Sequence, residues 1–138
     1  MAFEAPVQLI PGALAGSAFV TGNGYGSTGQ YLIVKSSGTN KTYVPCSADT
    51  DRPIGISQDT PASGGALGVI NLGISKVLAG GTLTAGDAYG PDAQGKAVKK
   101  NETSTGADFG EFVLGEVIEG AASGELATVT VGSPYRVD

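Results

Sequence analysis

The sequence predicts an all-β fold: a small single-domain barrel or sandwich of short antiparallel strands, built as two pseudo-repeated halves behind an extended N-terminal arm. Three observations lead there. Glycine occurs 23 times in 138 residues, a level that costs helices backbone entropy and suits tight turns. Apolar residues make up 41% of the chain, enough for a core, yet they are mostly small and fall in short runs. No window of helical length carries a 3.6-residue period. By contrast, Leu126 to Val131 sets Ala127, Val129 and Val131 on one side and Thr128 and Thr130 on the other, the alternation of a half-buried antiparallel strand.

Residues 1–28 read as the arm. Pro6, Pro11 and the glycines at 22, 24, 26 and 29 rule out a regular helix. Phe3, Val7, Leu9, Ile10 and Leu14 are too apolar for a free tail and are the candidate contact residues, packing on the same subunit or a neighbour. On this reading, removal of residues 2–20 leaves a folded core that has lost its partner.

The β domain is expected over 29–138, with about eight to ten strands. Tyr31 to Lys35 is a β-branched run ended by a Ser37-Gly38-Thr39-Asn40 turn, and Thr42 to Val44 returns. An Asp-rich loop leads to Pro53 to Ser57. Ala66 to Leu72 is the next strand, continued after Gly73 by Ile74 to Leu78. Turns follow at Gly80-Gly81 and Ala85-Gly86-Asp87, with short elements at Ala88-Tyr89 and Lys96 to Val98. Glu111 to Ile118 and Leu126 to Val131 close the chain. Short helices fit only at Thr60 to Ser63 or Gly120 to Ser123.

An internal echo runs through this order. The stretch 29–73 resembles 86–132 at an offset of about 60 residues. Ile54-Gly55 recurs as Leu114-Gly115, Ala62-Ser63-Gly64 as Ala122-Ser123-Gly124, and Val69 as Val129. Leu14-Ala15-Gly16 and Leu78-Ala79-Gly80 open the two halves. Two units are too few for a solenoid and suit two halves of one small domain.

Charge excludes several roles. The net charge is −5 and the sequence pI about 4.5. The Lys and Arg residues are scattered, with Lys99-Lys100 the one doublet, so direct nucleic-acid binding is not expected. The lone Cys46 reads as a small buried thiol, since it has no disulfide partner and no zinc-ligand company. No basic residues precede an apolar stretch at the N-terminus, so no signal peptide is expected. No apolar run reaches the roughly 18 residues of a membrane span.

Several motifs fail in context. Gly24-Tyr25-Gly26-Ser27-Thr28-Gly29 matches the dinucleotide fingerprint, but a strand-forming run follows where a helix N-terminus must face the pyrophosphate. Gly90 to Ala97 approaches a P-loop, yet Ala97 replaces the magnesium-binding hydroxyl and Asp92 would repel phosphate; a hairpin turn at Asp92 to Gly95 accounts for it. Asp49-Thr50-Asp51 begins like a calcium loop, but Pro53 takes the next ligand position. Glu116 and Glu119 face opposite sides of a strand, as do Ser75 and Lys76. The sequence has no His, which removes imidazole-based catalysis and metal binding. No catalytic, cofactor-binding or metal-binding residue is nominated, and the chain is not expected to be an enzyme.

Asp51-Arg52-Pro53-Ile54-Gly55-Ile56, Ala62-Ser63-Gly64, Gly73 to Gly81, Thr84 to Asp87, Asp92 to Val98 and Leu114-Gly115 occur in an order and spacing that resemble the capsid cement (head decoration) proteins of tailed bacteriophages. The resemblance spans roughly Gly29 to Gly132. It implies a virion protein made in the host cytoplasm that binds the major capsid protein on the outer surface of the assembled head. It also implies a homotrimer near local three-fold axes that stabilises the shell, with no cofactor, no nucleic acid and no membrane. A tail or fibre module is the first alternative. A small-ligand or carbohydrate-binding β module is the second, although Trp is absent and Tyr25, Tyr31, Tyr43, Tyr89 and Tyr135 are dispersed.

Overall fold

The structure, a computed structural model, describes residues 7–16, 29–59, 62–100 and 110–137. Among these the chain is all-β and without helix. Its strands are β1 (Gln8–Leu9), β2 (Leu14–Ala15), β3 (Ile33–Ser36), β4 (Thr42–Pro45), β5 (Gly55–Ser57), β6 (Val69–Leu78), β7 (Ala88–Pro91), β8 (Ala97–Lys99), β9 (Phe112–Val113), β10 (Gly115–Glu119), β11 (Leu126–Val131) and β12 (Tyr135–Arg136). The main sheet runs β2-β4-β3-β5-β6-β11-β10-β7-β8, with β1 on β6, while β12 and β9 form a separate pair.

That order is two similar halves joined at β6 and β11. In the first half β1 pairs with β6, Leu14 bridges Ala66, and β2 runs parallel to β4. The ring β1/β2-β4-β3-β5-β6 therefore closes on itself. The second half closes the same way. The C-terminal part of β6 pairs with β11, and Ala79 makes a parallel bridge to Ala97 of β8. Strand β6 thus ends one small barrel and begins the next, and barrel closure leaves few edges exposed.

The pairings correspond residue for residue. Ser57 opposite Val69 matches Val117 opposite Val129, and Val34 opposite Gly55 matches Tyr89 opposite Gly115. Ile54 N–H donates to Val34 O and Leu114 N–H to Tyr89 O, both at 2.9 Å. Gly64 N–H donates to Ala15 O at 2.7 Å, and Gly124 N–H to Ala79 O at 2.8 Å. The cores follow suit. Ala13, Ala15, Val34, Leu67 and Val69 fill the first barrel; Val77, Ala79, Tyr89, Ala127 and Val129 stand at the matching places in the second.

The halves also pack on each other. Ile33, Cys46, Ile56 and Ile70 lie in the same buried cluster as the second barrel's core. The hairpin turn of the second barrel rests on them: Ile33 N–H donates to Gly95 O at 2.7 Å. Asp92 shapes that turn, its Oδ1 accepting from Gln94 N–H at 2.8 Å and Lys96 N–H at 2.9 Å, and Gly95 has φ +78°. The P-loop-like stretch is thus a hairpin connection between β7 and β8.

Some expected elements differ. Residues 7–16, read as part of an arm, belong to the first barrel, because β2 closes it and Ala13 and Ala15 are buried. Tyr31 takes φ 61°, so β3 begins later than expected. Pro53 has no N–H to give a ladder, and β5 starts at Gly55. The strand expected over Glu111 to Ile118 divides at Leu114, whose N–H turns to Tyr89 O. The stretch after Gly120 is a bridge and a turn rather than a helix, with Glu125 N–H closing on Ala122 O at 3.0 Å. Of the other helix position, Thr60 and Pro61 lie outside the described residues.

Candidate interaction surface

The proposed contact residues fall in different places. Phe3 lies outside the described residues. Val7 is 49% exposed and Leu9 52% exposed, both at β1. Ile10 is half-buried and packs against the first barrel's core. Leu14 is 39% exposed but lies beyond the Pro11-Gly12 turn, where β2 pairs with β4.

What the sequence did not bring to notice is the company β1 keeps. Leu72 of β6 stands opposite Gln8 and is 55% exposed, and Ile74 is 40% exposed. In β6 the outward positions Leu72, Ile74 and Lys76 alternate with the inward Ser75 and Val77. Val7, Leu72 and Val131 share an open cavity of about 610 Å³. Gln8 and Leu72 also line a second one of about 260 Å³ with Asn71 and Ile54. Ile54 and Pro134 continue into a third of about 470 Å³, walled by Lys35, Ser36, Arg52 and Pro53. The shared residues make one groove running from an apolar end at Val7 to a basic end at Arg52.

The basic end is held by an ordered loop. Asp51 Oδ2 accepts from Lys35 Nζ at 2.7 Å, Ser47 N–H at 2.8 Å and Ala48 N–H at 3.0 Å. The calcium-like Asp49-Thr50-Asp51 stretch is therefore a loop whose Asp51 carboxylate is already engaged by a cation and backbone donors. Burial alone would raise the Asp51 pKa. The Lys35 hydrogen bond and charge and the two backbone donors outweigh it and hold the carboxyl below its ordinary 3.8. A carboxyl depressed in the folded state stabilises the fold above its unfolded pKa, and that stabilisation is lost as pH falls through the folded value. Unfolding midpoints taken from about pH 5 down to about pH 2 should drop below the ordinary carboxylate range, and Asp51→Asn should flatten that part of the profile.

The other chemistry-bearing side chains are engaged locally. Ser57 is buried and donates from Oγ to Gly29 O at 2.6 Å. Ser75 is buried and accepts from Gln58 Nε2 at 2.8 Å, while Lys76 faces outward and donates to Thr128 Oγ1 at 2.9 Å. Glu116 and Glu119 are both exposed. Burial, with Asp51 and Asp92 adding and Lys35 opposing, pushes the Cys46 thiol up to about 12, so it is held as an unreactive thiol. Burial likewise raises the Tyr89 phenol, which donates to Thr130 O at 2.6 Å. Among the described residues no three His, Cys, Asp or Glu side chains come together as a metal site. The fingerprint glycines before Gly29 lie outside the described residues.

No protein-family model matches the sequence, and no curated protein matches it. Solved structures do. The chain is similar to the head fiber gp8.5 N base of bacteriophage phi29, with a TM-score of 0.62 at 20% identity, over 93% of this chain and 94% of that one. The likeness is one of fold. It covers more than nine-tenths of each chain, so it is a likeness of the double-barrel domain and not of one half alone.

Proposed function

We propose that this chain is a structural subunit of a tailed-phage virion that binds the outer surface of the capsid and reinforces the shell. The observation that carries the reading is the likeness of fold, over more than nine-tenths of each chain, to the base of a phage head fibre. The order of turns and strands that resembles capsid cement proteins agrees with it. A rigid double barrel with an exposed apolar strip suits a protein whose work is to dock many times on a lattice, where multivalency makes modest single-site affinity sufficient. Its partners are the major capsid protein and further copies of itself in a homotrimer, with neither nucleic acid nor membrane. It performs no catalysis and needs no cofactor. Val7 and Leu9, with Phe3 and Leu14 of the same segment, supply capsid contacts, while Ile10 is spent on the first barrel's core.

A second reading, the foot of a head fibre, is favoured by the same likeness. Both readings require binding to heads, and they part over what binding does. Purified protein added to heads that lack it should co-sediment saturably and raise the temperature at which packaged heads rupture. Saturable binding with an unchanged rupture temperature would favour the fibre foot. A folded protein that leaves heads bare would overturn both. Point variants such as Val7→Asp, rather than removal of residues 2–20, are the means to test the contacts, because that deletion takes Ala13 and Ala15 out of the first core.

A further inference from the structure

The outer wall of the second barrel carries a charge pattern with a symmetry of its own. Strand β11 lies between β6 and β10, and on the side turned from the core the three strands align in rows. Lys76 stands opposite Thr128 across one edge of β11, and Glu119 stands opposite Thr128 across the other. In the next row Ile74 stands opposite Thr130, whose Oγ1 accepts from Glu116 N–H at 2.9 Å. The register of β10 shifts between Val117 and Glu119. That bulge leaves Ile118 turned outward beside Glu119 while Val117 stays in the core.

This face is open. Ile74 is 40% exposed and Ile118 42% exposed, and Lys76 and Glu119 are exposed as well. The Lys76 ammonium donates to a neutral hydroxyl, Thr128 Oγ1, at 2.9 Å. Neither Lys76 nor Glu119 forms an ion pair among the described residues. One flank therefore offers an isoleucine and a cation, the other an isoleucine and a carboxylate, with two short threonines between. Half a turn about an axis along β11 exchanges the flanks. It sets Lys76 over Glu119 of a second copy, Ile74 beside Ile118 of that copy, and the threonines over their own counterparts. Each contact then occurs twice, as an isologous interface requires. Short side chains in the middle and long ones at the flanks suit two convex walls that touch along their central strands.

We infer that this face binds the same face of a second copy of the chain, the two sheets packing aligned about a two-fold axis along β11. The inference stands apart from capsid binding, since free protein is enough to test it. A two-fold contact joins two copies and stops, so it lies between the proposed trimers and not within one. On a shell it ties neighbouring trimers to each other. The face is smaller than the roughly 20–30 residues a side of a standard interface, and exposed ion pairs add little. Free copies therefore associate weakly, and a dense array of copies on a lattice strengthens the contact.

The test is capture of concentrated free protein by a short bismaleimide through Thr128→Cys, read on a denaturing gel. Thr128 lies at the axis, and Cys46, 1% exposed, stays out of reach. Ser63→Cys, exposed on a turn of the first barrel, is the control. Thr128→Cys should give crosslinked dimer where Ser63→Cys gives little. Adding Lys76→Glu to the Thr128→Cys protein should cut the dimer about tenfold, because like charges then meet at both ends of the contact. Adding Glu119→Lys as well should restore it. All variants should melt as wild type does, since these side chains are exposed. Equal capture at the two cysteines, or no recovery in the double reversal, would overturn the inference and leave capsid binding standing. Head binding lost in Lys76→Glu, with capture at Thr128→Cys no better than the control, would overturn it too and assign the face to the shell.

Discussion

Gly115→Ala should lower the free energy of unfolding by about 2–3 kcal/mol, and Gly55→Ala by a comparable amount, as expected for overpacking against backbone that cannot yield. A Cβ at Gly115 would stand 2.1 Å from Thr130 O, and one at Gly55 would stand 2.3 Å from Ile70 O. These are matched contacts. In each barrel the strand after the Ile/Leu-Gly pair crosses so close to the long closing strand that only a hydrogen fits at that position. The neighbour is main chain within a ladder, so no rotamer change relieves the clash. Gly132→Ala is the control, because a Cβ there meets nothing within 4 Å. Urea unfolding of the three variants would check the expectation. Equal stability of Gly115→Ala and Gly132→Ala would refute the close crossing.

Removing the acid from the Lys100–Glu111 pair should cost more still. The Lys100 side chain is 2% exposed and that of Glu111 13%, so the ammonium sits away from water with Glu111 as its ion-pair partner. Glu111→Gln would leave a buried cation without a counter-charge, which costs about 3–5 kcal/mol. The pair itself need not stabilise the fold against an apolar replacement. The double change Lys100→Met with Glu111→Leu should therefore recover most of the loss, since well-packed apolar groups often match or exceed a buried ion pair. Thermal unfolding of the single and double variants separates the two effects. A Glu111→Gln protein that melts within experimental error of wild type would show that Lys100 reaches solvent.

Much of the fold was legible in the sequence because its longer strands carry their own signal. Leu126 to Val131 alternates cleanly, Tyr31 to Lys35 is β-branched, and Asp92 to Gly95 has the chemistry of a tight hairpin. Strands β1, β2, β9 and β12 have two residues each, too few to show a period, and they form because neighbouring strands offer them partners. The recurrence of Ile54-Gly55 as Leu114-Gly115 was visible as letters. Its cause, a carbonyl of Ile70 or Thr130 facing each glycine, exists only once the strands have paired. Nor could the sequence show that β6 serves both barrels, since Gly73 reads as a break and in fact lies inside one continuous strand.

The surface was legible in smaller part. The apolar character of residues 7–14 stood out, but which side chains turn inward depends on the Pro11-Gly12 turn and on two separate strand partners. Ile10 goes to the core and Val7 and Leu9 to the surface for that reason. Leu72 and Ile74 looked like ordinary strand residues. Their outward position follows from β6 keeping Val77 inside.

Capsid binding is tested most directly by electron cryomicroscopy of heads lacking the protein, imaged before and after saturation with it. Added density is expected on the outer face of the shell at regular lattice positions, large enough for the double barrel, with the exposed Val7 and Leu9 turned toward the shell. Heads that look the same before and after, or density confined to the tail, would contradict it.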